Sequence, residues 1–428
     1  MSGLDGDVVV QEQEAFTGQQ SGVAVRGWRE SPYLDGATNI GAARDLLARS
    51  GDLALDLTLD IVPGHASREE LHNLAADLEG MVHRLVSLRL RAGDLDAAKA
   101  FLGSFTTLPS MKSLLLEQPE NQDRCPQRAC VLPNELSLPV LDNVHLDAGY
   151  VITPGRPPLT TVRTLSLSPY TAPDSELSDA LASFPHLVSL RINFSDLKWD
   201  AKPTAEPSLT RQLAASIQSV TLMSVPDRCM AWVLAAFHDP KRRNLAFDRC
   251  WCSFNADYRA ILADLGKDIR VRIVVHGRPV VIVGTDARGL ERSIDSVSDA
   301  DFAPLFSPNY LNCDNIVEMM VLTDLLTRVV CTFANVALLV LIIGDLNFLD
   351  DKSMPPMPRF PGHALRNLTL LGDPEMYELD REDIADLVRA LDLPLPLVTL
   401  NIDHRIFPGA LGPFLWPVGS SHVGVFHV

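Results

Sequence analysis

Internal repetition is the feature that most limits what this chain can fold into. Three segments resemble one another: LVSLRLRAGDL at 85–95, LVSLRINFSDL at 187–197 and ALLVLIIGDL at 337–346. Each joins an apolar pair to an L-x-L core and a polar exit ending in Asp-Leu. The same alternation recurs at Leu55/Leu57/Leu59, Leu114/Leu116, Val144/Leu146, Leu165/Leu167, Val220/Leu222, Leu368/Leu370 and Val398/Leu400. Such alternation marks a short strand with one buried face. Successive copies usually lie about 20 to 32 residues apart, within or just beyond the spacing of leucine-rich arrays. The wider gap from about 271 to 339 predicts an irregular insert near 285–313.

Helical patterns fill the intervals, and each carries a start signal. Ser67-x-x-Glu70 is a capping box before Leu71, Leu74, Leu78 and Val82. Asp174 precedes Leu177, Leu181 and Phe184, and Asp227 precedes Met230, Val233, Leu234 and Phe237. Asn255 precedes Tyr258, Ile261, Leu262 and Leu265, with Gly266 as the stop. Asp380 precedes Ile384, Leu387, Val388 and Leu391. A strand, a helix and a strand within about 25 residues require a parallel pair joined by a crossover. The predicted fold class is therefore α/β: an irregular leucine-rich-repeat solenoid with short parallel strands on the concave face and helices on the convex face. A doubly wound sheet also alternates strand and helix. It calls for continuous Val/Ile strands and a glycine-rich loop after an early one, and neither is present.

The predicted organisation has four parts. Residues 1–22 are polar and aperiodic and are expected to be disordered; 23–51 form a helical segment; 52–406 form the solenoid; 407–428 form a terminal cap or tail. Within the solenoid, four prolines make MPPMPRFPG at 354–362 a loop. The apolar run Val329 to Gly344 is too short to span a bilayer and is interrupted by Asn335. It is expected to be a helix end, a turn and a buried strand. The acidic N-terminus does not read as a signal peptide, and a cytoplasmic or nuclear location is expected.

A net charge of −17 repels phosphate, so nucleic acid and anionic membrane are not expected partners. The 7 cysteines are odd in number and lack zinc-site spacing, so they are expected to be reduced and small-apolar in behaviour. No catalytic, cofactor-binding or metal-binding residue is predicted. Gly284-Thr285-Asp286-Ala287-Arg288-Gly289 follows a strand, but Leu290-Glu291 stand where a phosphate loop needs lysine and a hydroxyl, so it reads as a turn. His276-Gly277-Arg278-Pro279 reads as a hairpin turn between Val/Ile runs. The histidines form no ligand pair. Lys241-Arg242-Arg243 is the sole basic cluster and reads as a solvated loop or an import signal. The carboxylates of Asp380-Arg381-Glu382-Asp383 fit a helix start.

Residues 23–61 resemble fungal F-box proteins of mushroom-forming species. Val25-Arg26-Gly27-Trp28-Arg29 is similar to the end of the F-box, Leu47-Ala48-Arg49-Ser50-Gly51 to the helix end that follows, and Asp52-Leu53-Ala54-Leu55-Asp56-Leu57 to the first strand. Leu108-Pro109 and Phe184-Pro185 resemble the lead-ins of that family's irregular repeats. The resemblance implies a non-enzymatic substrate receptor of a cullin-RING ubiquitin ligase, with a protein ligand on the concave face. The family's Leu-Pro F-box start does not precede Trp28, so the F-box is expected to be truncated or missing, and adaptor binding with it. Arg89, Arg191 and Thr369, at polar positions of the strands, would face the ligand. A degenerate chain without adaptor binding and a doubly wound enzyme are the alternatives.

Overall fold

Alternating leucines place one face of each strand out of water, and the computed structural model builds its sheets on that pattern. It describes residues 23–27, 51–61, 68–92, 95–118, 129–147, 150–152, 156–170, 173–250, 257–275, 280–297, 299–329, 331–343, 358–360, 364–372, 386–387, 389, 391, 399–403 and 422–426. The chain is an α/β fold with a large, mostly parallel sheet. It divides into two compact units, Met1–Leu141 with Gly149–Thr153, and Asp142–Ala148 with Pro154–Val428.

In the first unit, β1 (Val23–Gly27) runs antiparallel to β2 (Leu55–Ile61). Strand β2 pairs in parallel with β3 (Leu85–Ala92), and β3 with β4 (Ser113–Glu117). Helix α1 (Arg68–Glu79) and helix α2 (Leu95–Gly103) make the two crossovers. Val23–Gly27 was expected to be helical. Its V-A-V alternation suits an extended strand, and the β2 edge provides the backbone partners. The rest of 28–50, and all of 1–22, lie outside the described residues. A parallel pair, β5 (Ala129–Leu132) and β7 (Tyr150–Ile152), completes the unit. The Tyr150 hydroxyl donates to the Ala92 carbonyl at 3.3 Å and the Glu117 carbonyl at 3.1 Å, fastening β7 to the ends of β3 and β4.

The second unit carries the longer sheet. Strand β6 (Asn143–Leu146) pairs with β8 (Thr164–Leu167), then β9 (Ser189–Asn193), β10 (Ser219–Met223) and β11 (Asn244–Asp248), all in parallel. Helices α3 (Pro173–Ser183), α4 (Ser208–Ala214) and α5 (Asp227–Phe237) link them. Leu190, Ile192, Val220, Leu222, Leu245 and Phe247 are at most 1% exposed, so both apolar positions of each strand are sealed. Complete burial of such a side chain stabilises by about 1.5 to 3 kcal/mol.

The order then changes. The next strand beside β11 is β14 (Glu291–Val297), followed by β13 (Val280–Thr285) and β12 (Ile269–Val275). This three-stranded antiparallel meander is inserted in reverse order. Beyond β12 the parallel sequence resumes with β15 (Ile316–Leu322), β16 (Leu338–Ile343), β17 (Asn367–Gly372), β18 (Thr399–Asp403) and β19 (His422–Phe426). The segment 285–313, expected to be an irregular insert, thus holds the later part of a meander that begins at 269 and has a register shift between β13 and β14, followed by helix α6 (Asp299–Leu305). Val275 pairs antiparallel with Val280, as a hairpin turn at 276–279 requires, although those four residues are outside the description. Helix α7 (Thr323–Leu326) and strand β16 match the expected helix end and buried strand in 329–344, with the helix ending a little earlier. Strand β19 extends the sheet into the segment expected to be a cap or tail.

One start signal and one stop signal act differently from expectation. Helix α3 begins at Pro173, and the Asp174 carboxylate instead accepts hydrogen bonds from Thr204 and Ala205, holding the loop before α4. Gly266 lies beyond a 3-10 turn at Asp257–Asp264, without a left-handed backbone, and its N–H donates to Asp286 at 3.0 Å. The Ser67 cap, Asn255 and Asp380 lie outside the described residues. Of 354–362, only Pro358–Phe360 is described; Arg359 bridges Thr332, and Phe360 is buried.

Candidate binding face

From β6 to β18 the residues whose burial is described mostly alternate buried with half-exposed or exposed ones, so the sheet has one sealed face and one open face. Strand register lines the open positions into cross-strand rows. One row reads Arg191, Thr221, Ala246, Ser293, Val283, Arg272, Met320, Val340, Thr369 and Asn401. Arg191 and Thr369 therefore share a row, with seven strands between them. At about 4.8 Å per strand they stand roughly 38 Å apart. Arg89 occupies the equivalent kind of position on β3 in the first unit. Its Nε and Nη2 bind Glu117 at 2.9 and 2.8 Å, so it is already engaged within the sheet.

The face changes character along its length. From β9 to β14 it is polar. The Arg191 Nε–H donates to the Met223 sulfur at 2.8 Å. One step further along the strands, Asp248 at the end of β11 and Asp295 within β14 lie side by side. Partial burial, together with the hydrogen bond to Asp295 and its negative charge, pushes the Asp248 carboxyl above its ordinary range; Arg249 and Arg191 pull it back only in part. Arg249 follows directly with a left-handed backbone, φ 52°, and its Nε stands 3.9 Å from the Asp248 carboxylate. From β15 to β17 the open positions are mainly apolar: Met320, Leu322, Leu338, Val340, Ile342 and Leu371, all half-buried. Arg270 and Glu318 form an ion pair at 3.4 Å on the border.

Beneath the sheet, arginines support the frame. Arg242 is buried and donates to the carbonyls of Phe237 at 3.0 Å, Ala214 at 3.1 Å and Ile217. It thereby neutralises the free carbonyl ends of α4 and α5. Burial pushes its guanidinium down from the ordinary range, with Asp239 opposing. The basic run at 241–243 is thus interrupted by a structural residue, leaving Lys241 and Arg243 exposed. Arg292 is 0% exposed. It donates to the Arg242 carbonyl at 2.8 Å and the Glu291 carbonyl at 2.9 Å, and pairs with Asp264 at 3.2 Å. Asp264 in turn meets His238 Nε2 at 2.7 Å. Its charge would put an arginine outside, although its place two residues from the buried Leu290 and Ile294 aligns it with the sealed face.

The turn at 284–289 is closed by its own carboxylate. Asp286 accepts from the N–H groups of Gly266, Arg288 and Leu290 and from the Arg288 guanidinium. Burial alone would raise this carboxyl, but those donors hold it below its ordinary range. Gly284 leaves room for Leu265, whose Cδ1 would stand 2.5 Å from an added Cβ. Among the described residues no group of three His, Cys, Asp or Glu is placed to hold a metal ion, and no helix is long and apolar enough to cross a membrane. No protein-family model matches the chain, and no curated protein matches it either.

Proposed function

We propose that this chain is a non-enzymatic protein-interaction module whose ligand lies on the open face of the second unit's sheet. The observation that carries the reading is the row from Arg191 to Asn401. It is far longer than a small molecule, and it sets polar positions at both ends around the apolar Met320 and Val340, a mixture found at protein interfaces. The stacking of strand-helix units on either side of the meander supports an irregular leucine-rich-repeat solenoid for this unit. The likeness of residues 23–61 to fungal F-box proteins supports the role of substrate receptor in a cullin-RING ubiquitin ligase.

Two experiments divide these statements. The charge-reversed variant Arg191→Glu/Asp248→Arg is compared with the wild type by affinity capture and quantitative mass spectrometry, with circular dichroism as the folding control. A protein retained by the wild type and lost from the folded variant is the expected outcome. Identical captured sets would refute the open face as the binding surface. Co-expression with the ligase adaptor tests the receptor role: stable co-purification supports it, and clean absence removes the ligase role while leaving the binding face to stand on the first result.

A further inference from the structure

Four cysteines are described as free, and they fall into two classes. Cys229 and Cys250 are 0% exposed. Burial pushes both thiols up, Cys250 to about 12, so neither offers a thiolate near neutral pH. Cys313 and Cys331 differ. Their sulfurs stand 3.1 Å apart, and Cys331 is half-exposed. Cys313 opens the short 3-10 turn Cys313–Asn315, which the Asn312 side chain caps by accepting from the Asp314 N–H at 3.0 Å. Cys331 is held by the Arg359 N–H, which donates to its carbonyl at 3.2 Å. The Asn335 amide donates to the Asp314 carbonyl at 2.6 Å, fixing the two loops side by side. The hydrogen bond between the two sulfurs also holds the Cys313 thiol below its ordinary range, while that bond and burial push Cys331 up.

We propose that Cys313 and Cys331 form a reversible intramolecular disulfide, with a low-molecular-weight disulfide of the glutathione type as oxidant. A disulfide needs its sulfurs at about 2.0 Å, roughly 1 Å closer than here, a shift that small side-chain rotations can supply. The half-exposed Cys331 meets the oxidant first. Cys313 is the thiolate of the pair; it takes the Cys331 proton across 3.1 Å as the Cys331 sulfur attacks the oxidant's S–S bond, giving a mixed disulfide and releasing one small thiolate. Cys313 then gives up its proton and attacks the Cys331 sulfur, and the second small thiolate leaves. Two protein thiols are oxidised, one small disulfide is reduced to two thiols, and the protons pass to the leaving thiolates. The product ties the loop before β15 to the loop after α7, across a sequence separation of 18 residues.

The full chain is incubated with oxidised glutathione, its remaining thiols are alkylated, and its peptides are mapped by mass spectrometry. The expected product is one cross-link between the peptides carrying Cys313 and Cys331, reversed by dithiothreitol, while Cys229 and Cys250 react only after unfolding. Cys313→Ser should arrest the reaction as a mixed disulfide on Cys331. The oxidised wild type should need more urea to unfold, and the variant should show no such shift. Recovery of both cysteines as alkylated thiols would overturn the proposal, as would their pairing with other cysteines in the folded chain. A mixed disulfide on Cys331 that persists in the wild type would also overturn it.

Discussion

Replacing Arg292 with methionine tests the buried arginine frame. The side chain is 0% exposed, and its donors reach the carbonyls of Arg242 and Glu291, with Asp264 as the counter-charge. Each hydrogen bond to a buried charged group contributes about 1.5 to 3 kcal/mol, and removing one partner of a buried ion pair costs about 3 to 5 kcal/mol. Asp264 keeps its contact with His238, and methionine recovers part of the apolar packing, so these bonds do not simply add. The expected loss is about 3 to 4 kcal/mol, a large share of the roughly 5 to 15 kcal/mol that stabilises a typical domain. Hydrogen exchange read by mass spectrometry on peptides covering β11 and β14 measures it locally, independent of the first unit. Asp264→Leu combined with Arg292→Met should cost less than the two single changes together, by at least about 1 kcal/mol. A loss below about 1 kcal/mol for Arg292→Met would refute the reasoning, because it would mean that the carbonyls and Asp264 lose nothing when the guanidinium goes.

Three other outcomes follow from the same geometry. Asp286→Ala removes the carboxylate that closes the 284–289 turn, with an expected cost of about 3 kcal/mol at neutral pH. Its pKa is lowered by folding, so that stability is present above the ordinary value of 3.8 and is lost as pH falls through the lower folded value; an acid titration by circular dichroism should show this loss in the wild type and not in the variant. Asp248→Asn has the opposite sign: the raised carboxyl favours the fold below 3.8 and that contribution is lost as pH rises through the folded value. The variant should gain less than about 1 kcal/mol at pH 7, since the pair is partly solvated, and nothing near pH 3, as read by urea midpoints. Phe333→Ala opens the cluster in which Phe333 stacks on Phe360 at 5.4 Å and meets Phe306 edge-on at 6.0 Å. It should cost about 3 to 5 kcal/mol, read as faster exchange in β16.

The alternation that seals Leu190, Ile192, Val220 and Leu222 was legible because a strand with one wet face writes a period of two into the chain. The same rule made Arg191 and Thr369 readable as open-face residues. It was harder to read at β14, where ERSIDSV carries the charged Arg292 in a buried position and offers no L-x-L core. A buried arginine depends on carbonyls supplied by Asp239 and Arg242, more than fifty positions away in one case, and local pattern cannot report them. Asp174 was read as a helix start, and it does lie in the first turn of α3. Its carboxylate serves the loop at 204–205, a partner thirty residues downstream. The Cys313–Cys331 contact escaped for the same reason: neither spacing nor neighbours distinguish these thiols from the other five.

The reversed meander explains why the open face carries its acidic pair where it does. Had β12 followed β11 in register, Asp248 would have faced Arg272 or Val274 rather than a carboxyl. Placing β14 there brings Asp295 next to Asp248, and on the sealed side it brings Arg292 next to Leu245. The two charges created by one insertion thus fall on opposite faces of the same strand. The internal one is neutralised by Asp264 and backbone carbonyls, which anchors β14 against the end of α5 through His238. On the open side the Arg249 Nε stands 3.9 Å from the Asp248 carboxylate, and Arg191 donates to the Met223 sulfur. If a protein ligand binds this face as proposed, the neighbouring carboxyls of Asp248 and Asp295 favour a basic segment of it at the β9–β14 end. Charge-reversal of that end should therefore weaken capture more at low salt than at high salt, and an equal loss at both would sink the electrostatic part of the argument.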